Sequence, residues 1–144
     1  MRRAVQTILL ATLAAGMGCG PTGTDLPPVP TAASIVGAYS LKIVNGGGLP
    51  YPVAADPDRT LYIASGVITL NPDLTFTDVL TSRLTYNAGS PPPQDLVKAD
   101  SGTYLLYGRN VAMMYRTVTG TDTVAVTGNS LQKLQSSLVL TYTK

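Results

Sequence analysis

The sequence predicts an all-β fold, a single small antiparallel β-barrel of about eight strands, and three observations carry that expectation. Glutamate is absent while Thr, Val, Tyr and Gly are plentiful, which disfavours helices. Apolar and polar residues alternate with period two along most of the chain after residue 34. Turn signals rich in Gly, Pro, Asn and Asp recur at short intervals, as consecutive antiparallel strands require. An open sheet of this size would leave two exposed edges, so closure into a barrel or a two-sheet sandwich is expected.

The elements follow in order. Residues 1–18 (MRRAVQTILLATLAAGMG) read as a signal peptide: Arg2 and Arg3 form a basic start, and the apolar run from Ala4 to Ala15 is too short to span a bilayer. Cys19, the only cysteine, follows Gly16-Met17-Gly18 directly. Residues 19–33 hold four prolines and no apolar periodicity, and read as a disordered tether of about 3.1 Å per residue where extended. The folded domain is expected over 34–144.

Ile35, Gly37, Tyr39, Leu41 and Ile43 lie on one face of a first strand that ends at Asn45-Gly46-Gly47-Gly48. Tyr51–Ala55 reads as a short extended piece. Thr60–Leu70 is strand-rich, with a bend or bulge at Ser65-Gly66. After the Asn71-Pro72-Asp73 turn, Leu74, Phe76, Leu80, Leu84 and Tyr86 face inward, opposite a wet row of Thr75, Thr77, Thr81, Arg83 and Thr85. That polar row opposes a membrane-spanning barrel, whose outside must be apolar. Ala88–Gln94 contains three consecutive prolines and is expected as a loop. Later strands are expected at Val97–Tyr107, Asn110–Thr117, Thr121–Thr127 and Leu131–Thr143, the last bent at Ser136-Ser137.

Composition narrows the function. There is no histidine, so His-based catalysis and His-ligated metals are excluded. A lone cysteine forms neither an internal disulfide nor a Cys-rich zinc site. Without Arg2 and Arg3 the chain carries eight basic and eight acidic groups, so no basic stripe for nucleic acid is expected. Asp56 and Asp58 are too few for a calcium site and read as a solvated turn. Ser130-Leu131-Gln132-Lys133 spells S-x-x-K, but in a strand residues three apart point to opposite faces. No catalytic residue, metal or cofactor is expected.

Candidate ligand-pocket residues are the inward-facing Tyr39, Phe76, Asp78, Tyr104, Met113 and Tyr115. Asp78 shares the face of Phe76 and Leu80, so its carboxylate needs a partner such as Tyr104 or Tyr115, a ligand, or a wet mouth. A bulge near it would instead turn it outward. Lys98 and Asp100 share the next strand's inner face near its start, where a rim position is expected. The six residues could equally form a packed core, since a small barrel can be filled by its own side chains.

Several short motifs resemble small bacterial lipoproteins with a lipocalin-like domain. Gly16-Met17-Gly18-Cys19 is similar to a lipobox, and the resemblance implies cleavage before Cys19 and acylation of its sulfur. Ordinary signal cleavage after Gly16 is the competing reading. Ile35-Val36-Gly37-Ala38-Tyr39 resembles the first lipocalin-like strand, with Tyr39 in place of Trp. The hairpin Ser65–Phe76 and Ser101-Gly102-Thr103-Tyr104 are similar to later strands, and LVLTYTK lacks the Arg that packs over the Trp. The resemblance implies an up-and-down barrel. It also implies export and membrane attachment through the N-terminal lipid, at the outer membrane facing the periplasm where the host has one. A secreted or periplasmic soluble form is the alternative. The expected function is a non-enzymatic binding module for a small apolar ligand or lipid fragment. The alternative is a structural or protein-interaction barrel with a packed core, acting through loops such as Asn87–Gln94.

Overall fold

Alternating strands with one apolar face bury that face most completely by closing on themselves, and this chain does so. The computed structural model describes residues 28–88, 91–117 and 120–144. The expected signal peptide, Cys19 and most of the tether lie outside the described residues. One helical turn, α1 (Ala32–Ile35), is followed by β1 (Gly37–Val44), β2 (Gly47–Gly48), β3 (Tyr51–Ala55), β4 (Arg59–Leu70) and β5 (Thr75–Tyr86). Then come β6 (Gln94–Tyr107), β7 (Asn110–Tyr115), β8 (Thr121–Thr127), β9 (Ser130–Gln135) and β10 (Leu138–Thr143).

Every pairing is antiparallel. Strands β4 to β10 pair in sequence, β10 pairs with β1, and β1 returns to β4, which closes an eight-stranded up-and-down barrel. The membership differs from the sequence expectation although the number agrees. Strand β3 lies outside the ring, pairing only with the first half of β4. The expected bent strand Leu131–Thr143 is instead two strands, because Ser136 (φ 47°) and Ser137 (φ 70°) form a tight hairpin. Serines carry no strong signal for that left-handed pair, which Asn-Gly normally provides. The expected bulge is present, as a register shift between Ile63 and Ser65. Strand β6 begins at Gln94, earlier than expected, because the long β5 offers it a partner along its whole length.

The two ends of the barrel differ. At one end Thr31 caps α1 reciprocally with Ser34, and Ile35 plugs the barrel. The Tyr39 hydroxyl donates to the Ile35 carbonyl at 2.6 Å. Lys144 Nζ donates to the carbonyls of Ser34 and Val36 and lies 5.1 Å from the centre of the Tyr39 ring. The Tyr104 hydroxyl ties this end to the β4–β5 turn by donating to the Asn71 carbonyl at 2.7 Å. This α1 turn replaces the strand start expected at Ser34.

The middle is filled. Leu41, Ile68, Phe76, Met113, Val124, Leu131 and Tyr142 are buried inside, while Thr75, Thr77, Thr121, Thr123 and Thr127 face outward. Apolar inside and polar outside is the reverse of what a barrel shows to lipid. No helix among the described residues is long and apolar enough to cross a membrane. Gly66 makes room for the interior, since a side chain there would crowd Leu41, Leu80 and Tyr142. Gly102 lets β6 and β7 approach closely, since a Cβ there would collide with the Met114 carbonyl.

The opposite end is open. Strand β7 pairs with β6 only from Gly102 onward, so Gln94–Asp100 have β5 as their one ladder partner. The upper halves of β4, β5 and β6, with β3 beside them, thus project beyond the ring as a flap.

Candidate functional site

The upper layer of the barrel changes from apolar to charged. On β5 the inward row runs Phe76, Asp78, Leu80, so Asp78 enters the interior by alternation and is 8% exposed. On β9 the inward row is Leu131 then Lys133, and Lys133 is 4% exposed. Lys133 Nζ donates to Asp78 Oδ2 at 2.6 Å and to the Tyr115 hydroxyl at 2.6 Å. It also lies 3.3 Å from Asp122 Oδ2 on β8 and 5.0 Å from the centre of the Tyr115 ring. The Tyr115 hydroxyl donates to Asp78 Oδ2 at 3.0 Å. Its ring meets Phe76 edge to face, with centroids 5.0 Å apart. The result is a network in which the buried ammonium of Lys133 is held between Asp78, the Tyr115 hydroxyl and, as an ion pair, Asp122.

Burial, then the charges of Asp78 and Asp122, push the Tyr115 hydroxyl well above the usual tyrosine range. It therefore stays protonated and can donate. Beneath it the Tyr142 hydroxyl is fully buried and has no hydrogen-bond partner among the described residues. Burial and the Asp78 charge likewise push its ionisation up. On the rim, Asp100 stands directly opposite Asp78 across the β5–β6 ladder. The Thr117 hydroxyl and Ser101 N–H hold the Asp100 carboxyl below the usual range.

Above this network lies a cavity of about 340 Å³. Asp78, Tyr115 and Lys133 line it from β5, β7 and β9, with Lys98, Asp100 and Asp122 around them and the β9–β10 hairpin at its mouth. A second groove of about 380 Å³ runs along the flap, lined by Leu61, Leu96 and Val97 among others, and shares Lys98 with the first. Leu96 is 51% and Val97 64% exposed there.

Of the six pocket residues expected from sequence, the structure brings Asp78 and Tyr115 to the cavity. It leaves Tyr39, Phe76, Tyr104 and Met113 in the packed core below, each 0–1% exposed. The reason is volume: three tyrosines and a phenylalanine fill so narrow a ring with nothing to spare. Lys98 and Asp100 stand at the rim, as their places in the strand suggested. Lys133 and Asp122 were missed. The signal was available, because alternation from Leu131 and from Val124 points both inward, and an inward lysine answers an inward aspartate. Reading Lys133 only as part of S-x-x-K hid it. Ser130 indeed lies on the other face of β9.

Chemically the network holds charge in place. The Lys133 ammonium donates to Asp78 and Tyr115 and is ion-paired with Asp122, so this 4% exposed cation is turned toward the network. Among the described residues no three Asp, Glu, His or Cys side chains converge to hold a metal ion. Comparison with protein-family models, curated proteins and solved structures finds no match.

Proposed function

We propose that this chain is a cell-envelope lipoprotein whose lipocalin-like barrel binds a small amphiphilic molecule at its open end, without catalysis. The observation that carries the binding reading is the cavity over the buried Asp78–Lys133 pair. Buried ion pairs contribute little net stability and are often replaced by apolar residues without loss. A barrel that needed only a filled core would gain as much from two leucines. A charged floor under an open cavity of a size that suits small ligands is what recognition needs. The ligand expected from sequence was apolar and held among the tyrosines; the polar mouth and the apolar flap beside it favour an amphiphile instead.

Two further points support the reading. Tyr39 and Lys144 meet where lipocalin-like domains place Trp and Arg, so a shorter aromatic and a shorter cation fill the same role. The N-terminal segment joins the barrel at its closed end, so an acylated Cys19 would hold the domain there and leave the mouth unobstructed. The exposed Leu96 and Val97 favour a second reading, a protein contact along the flap.

Binding is tested with the neutral fluorophore N-phenyl-1-naphthylamine. Gly120 lines the cavity, and among the described residues beyond its chain neighbours no atom lies within 4 Å of where its Cβ would stand, so Gly120→Trp adds bulk at the mouth without disturbing the core. Saturable fluorescence enhancement that Gly120→Trp abolishes at unchanged Tm is expected. Enhancement indifferent to Gly120→Trp would place the ligand elsewhere, and a wild-type chain that gives none contradicts the reading. For the anchor, Cys19→Ser is expected to abolish acyl labelling and release the protein from membranes. An unchanged distribution would refute lipidation.

A further inference from the structure

The geometry points to an organic cation, a primary ammonium carried on an apolar body, as the ligand class of the open-end cavity. This rests on the binding reading above and adds the sign of the charge. The first argument is the balance of donors and acceptors. Lys133 donates to Asp78 and Tyr115 and is ion-paired with Asp122, and the Tyr115 hydroxyl donates to Asp78. Both bonds to Asp78 fall on Oδ2, so Oδ1 of this 8% exposed carboxylate accepts none among the described residues. Asp122 lies 3.3 Å from Lys133 through Oδ2, and its side chain is 41% exposed. The cavity therefore offers acceptors and needs donors. Among the described residues, Lys98 is the one lining cation outside the network.

Charge gives the same sign. Three aspartates and two lysines line the cavity, which leaves one net negative charge where an open, low-dielectric wall strengthens electrostatic interactions. An anionic head would meet Lys98 but also three carboxylates, and like charges brought together so closely are strongly disfavoured. A neutral hydroxyl could donate to Asp78 but would gain nothing from the charge. A primary ammonium matches both, because it brings three donors and one positive charge to Asp78 Oδ1 and the partly exposed carboxylate of Asp122.

Shape supplies the rest of the molecule. The groove that shares Lys98 with the cavity continues over Leu61 and Leu96, so a chain leaving the mouth finds apolar surface to cover. Occupancy of that surface would also account for Leu96 standing in the open.

The test uses three probes with one tail and different heads, octylammonium, octanoate and octanol, displacing N-phenyl-1-naphthylamine from the full chain. Octylammonium is expected to displace it at a tenfold or more lower concentration than either of the others. Asp122→Asn, at a half-exposed position, is expected to remove most of that advantage, read as the ratio of the octylammonium and octanol midpoints within the same variant. Equal potency of octanol and octylammonium would overturn the charge assignment while leaving mouth binding intact. So would stronger displacement by octanoate. If the fluorophore itself never binds, the binding reading falls, and this inference with it.

Discussion

At the scale of single residues, the Asp78–Lys133 pair separates stability from recognition. Removing one partner leaves the other charge buried alone, which costs about 3–5 kcal/mol. Lys133→Ala is therefore expected to lower the urea midpoint sharply. The double variant Asp78→Leu with Lys133→Leu removes both charges and keeps the volume, and its stability is expected to be neutral or up by about 1–4 kcal/mol. It should nevertheless lose the ammonium probe. A double variant as unstable as Lys133→Ala would show that the pair holds the barrel together rather than serving the cavity. Half of this pair was legible in the sequence. Asp78 could be placed inward by counting from Phe76, and its bond to Tyr115 was one of the partners expected. Lys133 required the same count from Leu131, and a catalytic motif drew attention away from it.

Among the elements, the β9–β10 hairpin is the point where local sequence and tertiary structure disagree most. Ser136 and Ser137 both adopt positive φ, a conformation that costs an L-residue about 1–2 kcal/mol. The cost is borne because Leu138–Thr143 can then pair with all of β9, from Gln135 to Ser130. Ser137→Gly relieves the strain at the price of some chain entropy, and thermal denaturation is expected to show a gain of about 0.5–1 kcal/mol. A loss would mean that the serine side chain itself supports the turn. By contrast Asn45-Gly46 announces its turn plainly, and both residues take the left-handed conformation that the dipeptide favours. The early start of β6 was illegible for another reason. Gln94–Leu96 follow three prolines, and only the length of β5 opposite them makes them strand.

For the whole molecule, period-two alternation and edge avoidance were enough to foresee a closed barrel, because closure follows from the total of exposed edges rather than from any one residue. Whether the barrel was hollow could not be read the same way, since it depends on how eight inward rows interlock. The packed tyrosines have a measurable consequence. Burial pushes the Tyr39 hydroxyl up to about 12, and it raises Tyr104, Tyr115 and Tyr142 as well. A folded-state value above the unfolded one near 10 means that this stability is fully present below pH about 10. It is lost as pH rises toward 12. Ultraviolet titration is expected to show Tyr39, Tyr104, Tyr115 and Tyr142 ionising only with unfolding in that range. Ionisation of these four near pH 10 with the fold intact would contradict the packed interior.

The central claim is that recognition takes place at the open end, above a filled core, and backbone amide NMR of the full chain titrated with octylammonium tests it most directly. Progressive shifts confined to Asp78, Lys98, Asp100, Tyr115, Asp122 and Lys133–Ser136, with Leu96 following along the flap, are the predicted result. Shifts centred on Tyr39, Tyr104 and Met113, or none at saturating probe, would contradict it.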